Sequence, residues 1–178
     1  MNMLKKPTKI SDDLYYDERS AGGIVFKNEN GKVLWLVIKT AANNKGRRIG
    51  QGLGKNPVSV YKFPKGHLKD NEFLKQAALR EVEEEGGIKA EIITKIGSNN
   101  YIIWDKLQKR KIIKKVTFFL MEYREDSSLK HFDMELVLDR LWLPYQEAGD
   151  RLAYDSEKVL LGKAKYRLEQ YLKTITNF

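Results

Sequence analysis

Residues 66–88 read Gly66-His67-Leu68-Lys69-Asp70-Asn71-Glu72-Phe73-Leu74-Lys75-Gln76-Ala77-Ala78-Leu79-Arg80-Glu81-Val82-Glu83-Glu84-Glu85-Gly86-Gly87-Ile88. The spacing predicts a helix from Asn71 or Glu72 to Glu85, turning about 100° per residue. On such a helix Glu84 and Glu85 fall within about 60° and 40° of Glu81, on either side of it. Leu74, Ala78, Leu79 and Val82 form the neighbouring apolar stripe, expected to bury against a sheet. Gly86-Gly87 can take positive φ and stop the helix after its last glutamate. Carboxylates at i, i+3 and i+4 repel, at about 0.2–0.5 kcal/mol per pair, and a divalent cation would reverse that cost. Hard oxygen donors without Cys or paired His favour Mg²⁺, or Mn²⁺, over zinc.

Composition bounds what surrounds this segment. The chain has 178 residues, enough for one domain with a real core. A hydrophobic content of 42% with 11% aromatics excludes a disordered chain. No apolar run approaches the roughly eighteen residues that span a bilayer, so no membrane association is expected. Residues 1–7 carry Lys5 and Lys6 but no apolar stretch follows, so they do not read as a secretory leader. The absence of Cys excludes disulfides, thiolate zinc sites and a Cys nucleophile, and it fits the cytoplasm as the expected location. A net charge of +9, from 33 Lys+Arg against 24 Asp+Glu, favours polyanionic partners such as nucleotides or RNA.

Residues 1–18 read as an N-terminal arm and 19–178 as a single domain. Residues 20–27 and 32–39 are β-rich, and Asn30-Gly31 between them is a hairpin signal. Residues 41–57, rich in Gly, Asn and basic side chains including Lys45, Arg47 and Arg48, have loop composition. Short strands are expected at 61–63, 90–96, 112–123 and 136–143, with a Lys-rich connection between Tyr101 and Lys111. Pro144 marks a helix start. The last helix begins near Asp155 or Ser156, with Val159, Leu160, Ala164, Leu168, Tyr171 and Leu172 as its apolar positions. This order is α+β: a mixed sheet between helices.

A run of glutamates is ordinarily a solvated helix face. Here Gly66, Glu72, Arg80, Glu81, Val82, Glu84, Glu85, Gly87 and Ile88 together match the pattern G-x5-E-x7-R-E-U-x-E-E-x-G-U, U being apolar. A solvated face needs no such set. The segment resembles the box of the Nudix hydrolases, Mg²⁺-dependent enzymes that cleave a nucleoside diphosphate linked to another group. Residues 20–25, and 142–144 through Glu147-Ala148, resemble further marks of that family. The resemblance implies an α/β/α sandwich and a pyrophosphate-cleaving enzyme. It implies metal ligation by Glu81, Glu84 and Glu85 and by the Lys65 backbone carbonyl, with Gly66 permitting close approach because it lacks a Cβ. It also implies that Arg80 and Glu72 form a buried pair fixing the loop–helix geometry. One glutamate must accept the proton of the attacking water. Glu84 is the first choice and Glu85 the second, with Glu125, Asp126, Asp133 and Glu135 as loop alternatives.

Pro64-Lys65-Gly66-His67 resembles the opening of the diadenosine tetraphosphate hydrolase branch, with close variants in branches acting on diphosphoinositol polyphosphates and RNA 5′ ends. By that resemblance Tyr101 would stack on an adenine, and Lys114, Lys115 and His67 would contact phosphates. Taken singly, each of these is also an ordinary structural or solvated residue. Two departures stand out: Asn71 replaces a glycine common in relatives, and the basic 41–57 segment is long. The leading expectation is asymmetric cleavage of diadenosine tetraphosphate to ATP and AMP. The alternatives are an RNA 5′-pyrophosphohydrolase or other nucleotide pyrophosphatase, and a non-catalytic Nudix-fold module binding nucleotides or RNA.

Overall fold

A computed structural model describes residues 8–9, 15–16, 18–41, 59–105, 110–129 and 137–176. In chain order the elements are β1 (Thr8–Lys9), β2 (Tyr15–Tyr16), β3 (Glu18–Glu29), β4 (Lys32–Ala41), β5 (Ser59–Lys62), β6 (Lys65–His67), α1 (Leu74–Gly86), β7 (Ile88–Asp105), β8 (Arg110–Asp126), β9 (Val137–Pro144), α2 (Tyr145–Arg151) and α3 (Asp155–Thr176). Asn30 and Gly31 join β3 to β4 with φ of 52° and 78°, the double positive φ that a tight two-residue hairpin requires.

β3 to β9 form one seven-stranded sheet whose main path is β5-β4-β3-β8-β7, with β6 also on β3 and β9 on β4. β3 and β8 run parallel, and every other pair in the sheet is antiparallel. The register explains the opening in this sheet. β3 pairs with β4 only at Phe26 to Glu29. Further along, β4 pairs with β5 through Ile38 to Ala41, while β3 pairs with β6 through Ser20 to Gly22. The two strands therefore part, and Phe63-Pro64 crosses between them.

Alternation along the strands divides the core. Ala21, Val25, Phe119 and Met121 face α1, packing on Ala77, Ala78 and Val82. Ile24, Phe118 and Leu120 face the other way, packing with Phe63, Ala148, Leu160, Leu161 and Leu168 beneath α2 and α3. Each fully buried Leu, Ile or Phe contributes about 1.5–3 kcal/mol. This is the α/β/α sandwich expected from the sequence.

Several local expectations change. α1 begins at Leu74, not at Asn71 or Glu72, because Glu72 is drawn into a side-chain pairing outside the helix. Leu79 is 37% exposed, and Ala77 takes the buried place expected for it. Val159 is likewise exposed on α3, whereas Leu161 is buried. β7 and β8 extend well past 90–96 and 112–123, so most of the expected 101–111 connection is strand, pairing as far as Asp105 with Arg110. Residues 42–57 of the basic segment, and Asp133 and Glu135, lie outside the described residues. Among the described residues no helix is long and apolar enough to cross a membrane.

Candidate active site

The crossing peptide belongs to neither strand pair, so its backbone groups are held from elsewhere. The Gly23 amide donates to the Pro64 carbonyl at 3.1 Å. The Phe63 amide donates to Glu157 Oε2 at 3.0 Å, and the Lys65 amide to Glu85 Oε2 at 2.8 Å. Gly66 follows, packed so tightly against the Glu81 carboxylate that a Cβ there would overlap it. A side chain at Gly66 would thus push the Glu81 carboxylate out of its place in the site.

Between this peptide and α1, Asn71 turns the chain with φ of 60°, a left-handed conformation Asn tolerates better than most residues. This accounts for Asn where a relative would carry Gly. Gln76 Oε1 accepts the Phe73 amide at the helix start, and Gly87 ends the helix with φ of 70°. Glu72 accepts two bonds from Arg80, from Nε and Nη2 at 2.8 Å each, and a third from the Lys69 amide at 2.9 Å. The Arg80 bonds bring the Glu72 carboxyl down to about 2, against the opposition of desolvation. Glu72 in turn is the main reason the guanidinium is held above its usual range. Arg80 Nη2 also donates to the His67 carbonyl at 2.9 Å, tying the loop to the helix. Glu72 and Arg80 pair as expected, though both are half-buried rather than buried.

Arg80, Glu81, Glu84 and Glu85 all face one cavity of about 560 Å³. Its other walls include Ser20, Lys62, Lys65, Gly66, His67, Lys69 and Lys114. Glu81 is buried, and burial pushes its carboxyl up despite the Arg80 charge. Arg80 Nη1 lies between Glu81 Oε1 at 2.6 Å and Glu84 Oε2 at 2.8 Å. As the side chains stand, no three acidic or histidine groups among the described residues are placed to hold one metal ion. The donors nonetheless suit one. They are oxygens only, and a dication would keep the buried Glu81 ionised.

The cationic wall draws on several strands. Lys62 Nζ lies 3.5 Å from Glu85 Oε1, and burial depresses its pKa more than Glu85 restores it. Lys114 Nζ, His67 Nε2 and Glu18 Oε2 form a triangle: 2.8 Å from lysine to imidazole, 3.0 Å from imidazole to carboxylate and 3.3 Å from lysine to carboxylate. Burial opposes ionisation of Glu18, but the His67 bond and the Lys114 charge bring its carboxyl below the usual range.

Two expected contacts are not brought to this cavity. Lys115 follows Lys114 on one strand, so alternation sends it to the opposite face of β8. Tyr101 packs against the core under α3, with its hydroxyl 3.5 Å from Ser156 Oγ and accepting from Asn99 Nδ2 at 3.3 Å. Glu125 and Asp126, expected in a loop, are the last residues of β8; Glu125 pairs with Lys89 and Asp126 accepts the Tyr123 hydroxyl, and neither lines the cavity.

Other site residues carried no sequence signal. Ser20 reaches the cavity, and Glu18 reaches the His67 and Lys114 side chains that line it, only through the β3–β6 and β3–β8 pairings, and the buried Ser20 hydroxyl has no partner among the described residues. Arg140 Nε, on β9, donates to the Glu85 carbonyl at 2.8 Å and so caps the last turn of α1.

Fold and site together define a class: a mixed-sheet α/β/α domain in which one acidic helix faces a cation-rimmed cavity. The NUDIX domain family matches residues 17–161. A Mycobacterium tuberculosis protein, MutT4, is 31% identical over 147 residues, covering 80% of this chain and 52% of its own. The Sus scrofa asymmetrical bis(5′-nucleosyl)-tetraphosphatase is 34% identical over 115 residues, covering 60% of this chain and 70% of its own. A Coxiella burnetii RNA pyrophosphohydrolase is 34% identical over 88 residues, covering 48% and 32%. The chain thus spans about half the length of the first of these relatives and a third of the last. Among solved structures, a Caenorhabditis elegans Ap4A hydrolase binary complex superposes with a TM-score of 0.58 at 18% identity, covering 86% of this chain and 98% of that one. That likeness is one of fold. The chain belongs to the Nudix family.

Proposed function

We propose that this protein hydrolyses a phosphoric anhydride bond in a nucleoside diphosphate derivative, with Mg²⁺ as cofactor, in the cytoplasm. The observation that carries the reading is the shared cavity, where Glu81, Glu84 and Glu85 meet Lys62, Lys65, Arg80 and Lys114. Carboxylates alone would repel a polyphosphate, and lysines alone would bind it without cleaving it.

Glu81, Glu84, Glu85 and the Lys65 carbonyl would hold the metal, which when bound supplies charge neutralisation on the phosphoryl oxygens. Arg80 Nη1 serves as counter-charge to Glu81 and Glu84 until then, and its remaining bonds to Glu72 keep the guanidinium in place. Glu84 is a better general base than Glu85. Each has one oxygen held, Glu84 Oε2 by Arg80 Nη1 and Glu85 Oε2 by the Lys65 amide, but the Glu84 side chain is 33% exposed against 12% for Glu85, so water reaches it more readily. Lys114 and His67 would anchor phosphates of the leaving fragment as charge and donor, and the unpartnered Ser20 hydroxyl would donate to one of their oxygens.

Asymmetric cleavage of diadenosine tetraphosphate to ATP and AMP is the leading substrate assignment, supported by the tetraphosphatase among the relatives. Removal of pyrophosphate from RNA 5′ ends is the second, supported by the RNA pyrophosphohydrolase relatives and the +9 charge. A non-catalytic binding module is disfavoured by the intact Glu81, Glu84 and Glu85. A screen over dinucleoside polyphosphates, nucleotide sugars, nucleoside triphosphates and 5′-triphosphorylated RNA, with the nucleotide and pyrophosphate products separated by chromatography, tests the reading. Diadenosine tetraphosphate should give the highest kcat/KM, with ATP and AMP as products. Preference for the RNA in direct competition reassigns the substrate, and no Mg²⁺-dependent turnover of any of them overturns the enzyme.

A further inference from the structure

Glu157 is a fully buried carboxylate on a helix outside the box, at 0% exposure in the first turn of α3. Burying a charge costs several kcal/mol unless partners compensate it. Its partners flank Pro64: Phe63 in the crossing peptide and Lys65 at the start of β6. Oε2 accepts the Phe63 amide at 3.0 Å. Oε1 lies 3.0 Å from Lys65 Nζ, off the direction of a hydrogen bond, so this contact is ionic rather than directional. The first turn of a helix also favours negative charge at that position.

Lys65 carries the contact onward. Its side chain points to Glu157 on α3, while its own amide donates at 2.8 Å to Glu85 on α1. One residue therefore joins two glutamates on helices packed against opposite faces of the sheet. The Lys65 side chain is 17% exposed, and its ammonium has the Phe63 carbonyl as a further neighbour at 3.5 Å. Without Glu157 its strongest partner is gone, and the nearest remaining carboxylate wall is the cavity itself.

We propose that Glu157 is a positioning residue of the candidate active site: acting through Lys65, it fixes the crossing peptide and Glu85 from the far side of the sheet. The inference rests on the hydrolytic reading of the cavity. It adds a carboxylate that touches neither substrate nor metal, yet sets where the Lys65 carbonyl and Glu85 stand. Groups that hold metal ligands in orientation typically contribute about 10–100-fold to affinity or activity.

The test uses Glu157→Gln, which keeps the acceptor for the Phe63 amide and removes the charge facing Lys65. Three quantities are read: kcat and KM on the best substrate of the screen, Mn²⁺ affinity by electron paramagnetic resonance without substrate, and the melting curve. The expected result is a kcat lowered by about tenfold or more, a KM within about twofold and weakened Mn²⁺ binding, with cooperative melting retained. Lys65→Met should reproduce the kcat and Mn²⁺ losses, and the double variant should lose no more than the worse single one. If Glu157→Gln does not fold, Glu157→Asp serves: it keeps the charge but withdraws it by one methylene, and the same losses are expected. Wild-type kcat and Mn²⁺ affinity in a folded Glu157 variant overturn the inference, as does a Lys65→Met protein that leaves both unchanged. An active wild type with silent variants removes only the role of Glu157. A wild type that neither binds Mn²⁺ nor cleaves any anhydride removes the hydrolytic reading, and this inference with it.

Discussion

The two walls of the cavity are built on different principles. The acidic wall comes from one turn and a half of α1, where Glu81, Glu84 and Glu85 are set by helical periodicity alone. The cationic wall is assembled from Lys62 on β5, Lys65 and His67 on β6, and Lys114 on β8. These meet only because β3 and β4 part and take β6 and β5 as separate partners. The acidic wall is a local property of the chain, and the cationic wall is a property of the sheet. Chemistry is expected to reside in the first and substrate choice in the second.

The sharpest way to break that division is to neutralise the acidic wall. Glu84→Gln should lower kcat by about 10²–10⁴, the usual worth of a general base. A loss below about tenfold would exclude Glu84 from that role. Glu81→Gln should abolish Mg²⁺-dependent turnover without unfolding the protein. Because burial raises the Glu81 carboxyl, the ionised form weakens the metal-free fold at neutral pH. In EDTA, Glu81→Gln should therefore melt no lower than wild type. A collapsed melting curve would mean that Glu81 holds the fold and not the metal.

The next effect is thermal. A ligand bound only by the native state adds RT ln(1 + [L]/Kd), about 2.7 kcal/mol at a hundredfold excess over Kd. With a non-hydrolysable dinucleotide present, millimolar Mg²⁺ should raise the melting temperature by several degrees. Glu81→Gln should lose most of that rise, and Lys114→Ala should keep its Mg²⁺-dependent part. A melting curve indifferent to Mg²⁺ would count against the acidic wall as a metal site.

A third effect appears in acid. Glu72 has a folded pKa of about 2 against an ordinary 4.5, so its pairing with Arg80 stabilises the fold fully above pH 4.5. That contribution is lost as the pH falls from 4.5 through about 2. Glu72→Gln should flatten this part of the stability profile while lowering stability at neutral pH. An unchanged acid limb in chemical denaturation would remove Glu72 as the anchor of Arg80.

How much of this was legible follows the same division. Residues 66–88 disclosed the helix, its glutamates, the Glu72–Arg80 pair and the need for Gly66, because each depends on spacing within one element or on its immediate approach. Hairpin chemistry at Asn30-Gly31 and the start of α3 at Asp155 were equally local. Leu79 and Val159 misled, since an apolar stripe wider than the contact surface leaves its edge exposed. Glu18, Ser20, Arg140 and Glu157 carried no signal, because their partners lie on elements distant in sequence. Glu157 meets Phe63 across 94 positions.

The smallest expected effect separates two adjacent lysines. Sequence placed Lys114 and Lys115 together as phosphate contacts, but a strand sends consecutive side chains to opposite faces. Lys114 lines the cavity beside His67 and Glu18, and Lys115 sits opposite Arg19 on the neighbouring strand. Lys114→Ala should therefore raise KM for the tetraphosphate by about tenfold, equivalent to ~1.4 kcal/mol, with kcat nearly unchanged. Lys115→Ala should change KM by less than about twofold, in line with substitutions outside a binding surface. The nucleoside diphosphate sugar provides the control: with fewer phosphates to reach the β8 wall, it should respond less to Lys114→Ala. Equal KM effects from the two lysines would show that substrate approaches both faces of β8. Equal effects of Lys114→Ala on the two substrates would place its charge in general attraction for anions, leaving the choice of leaving fragment to other residues.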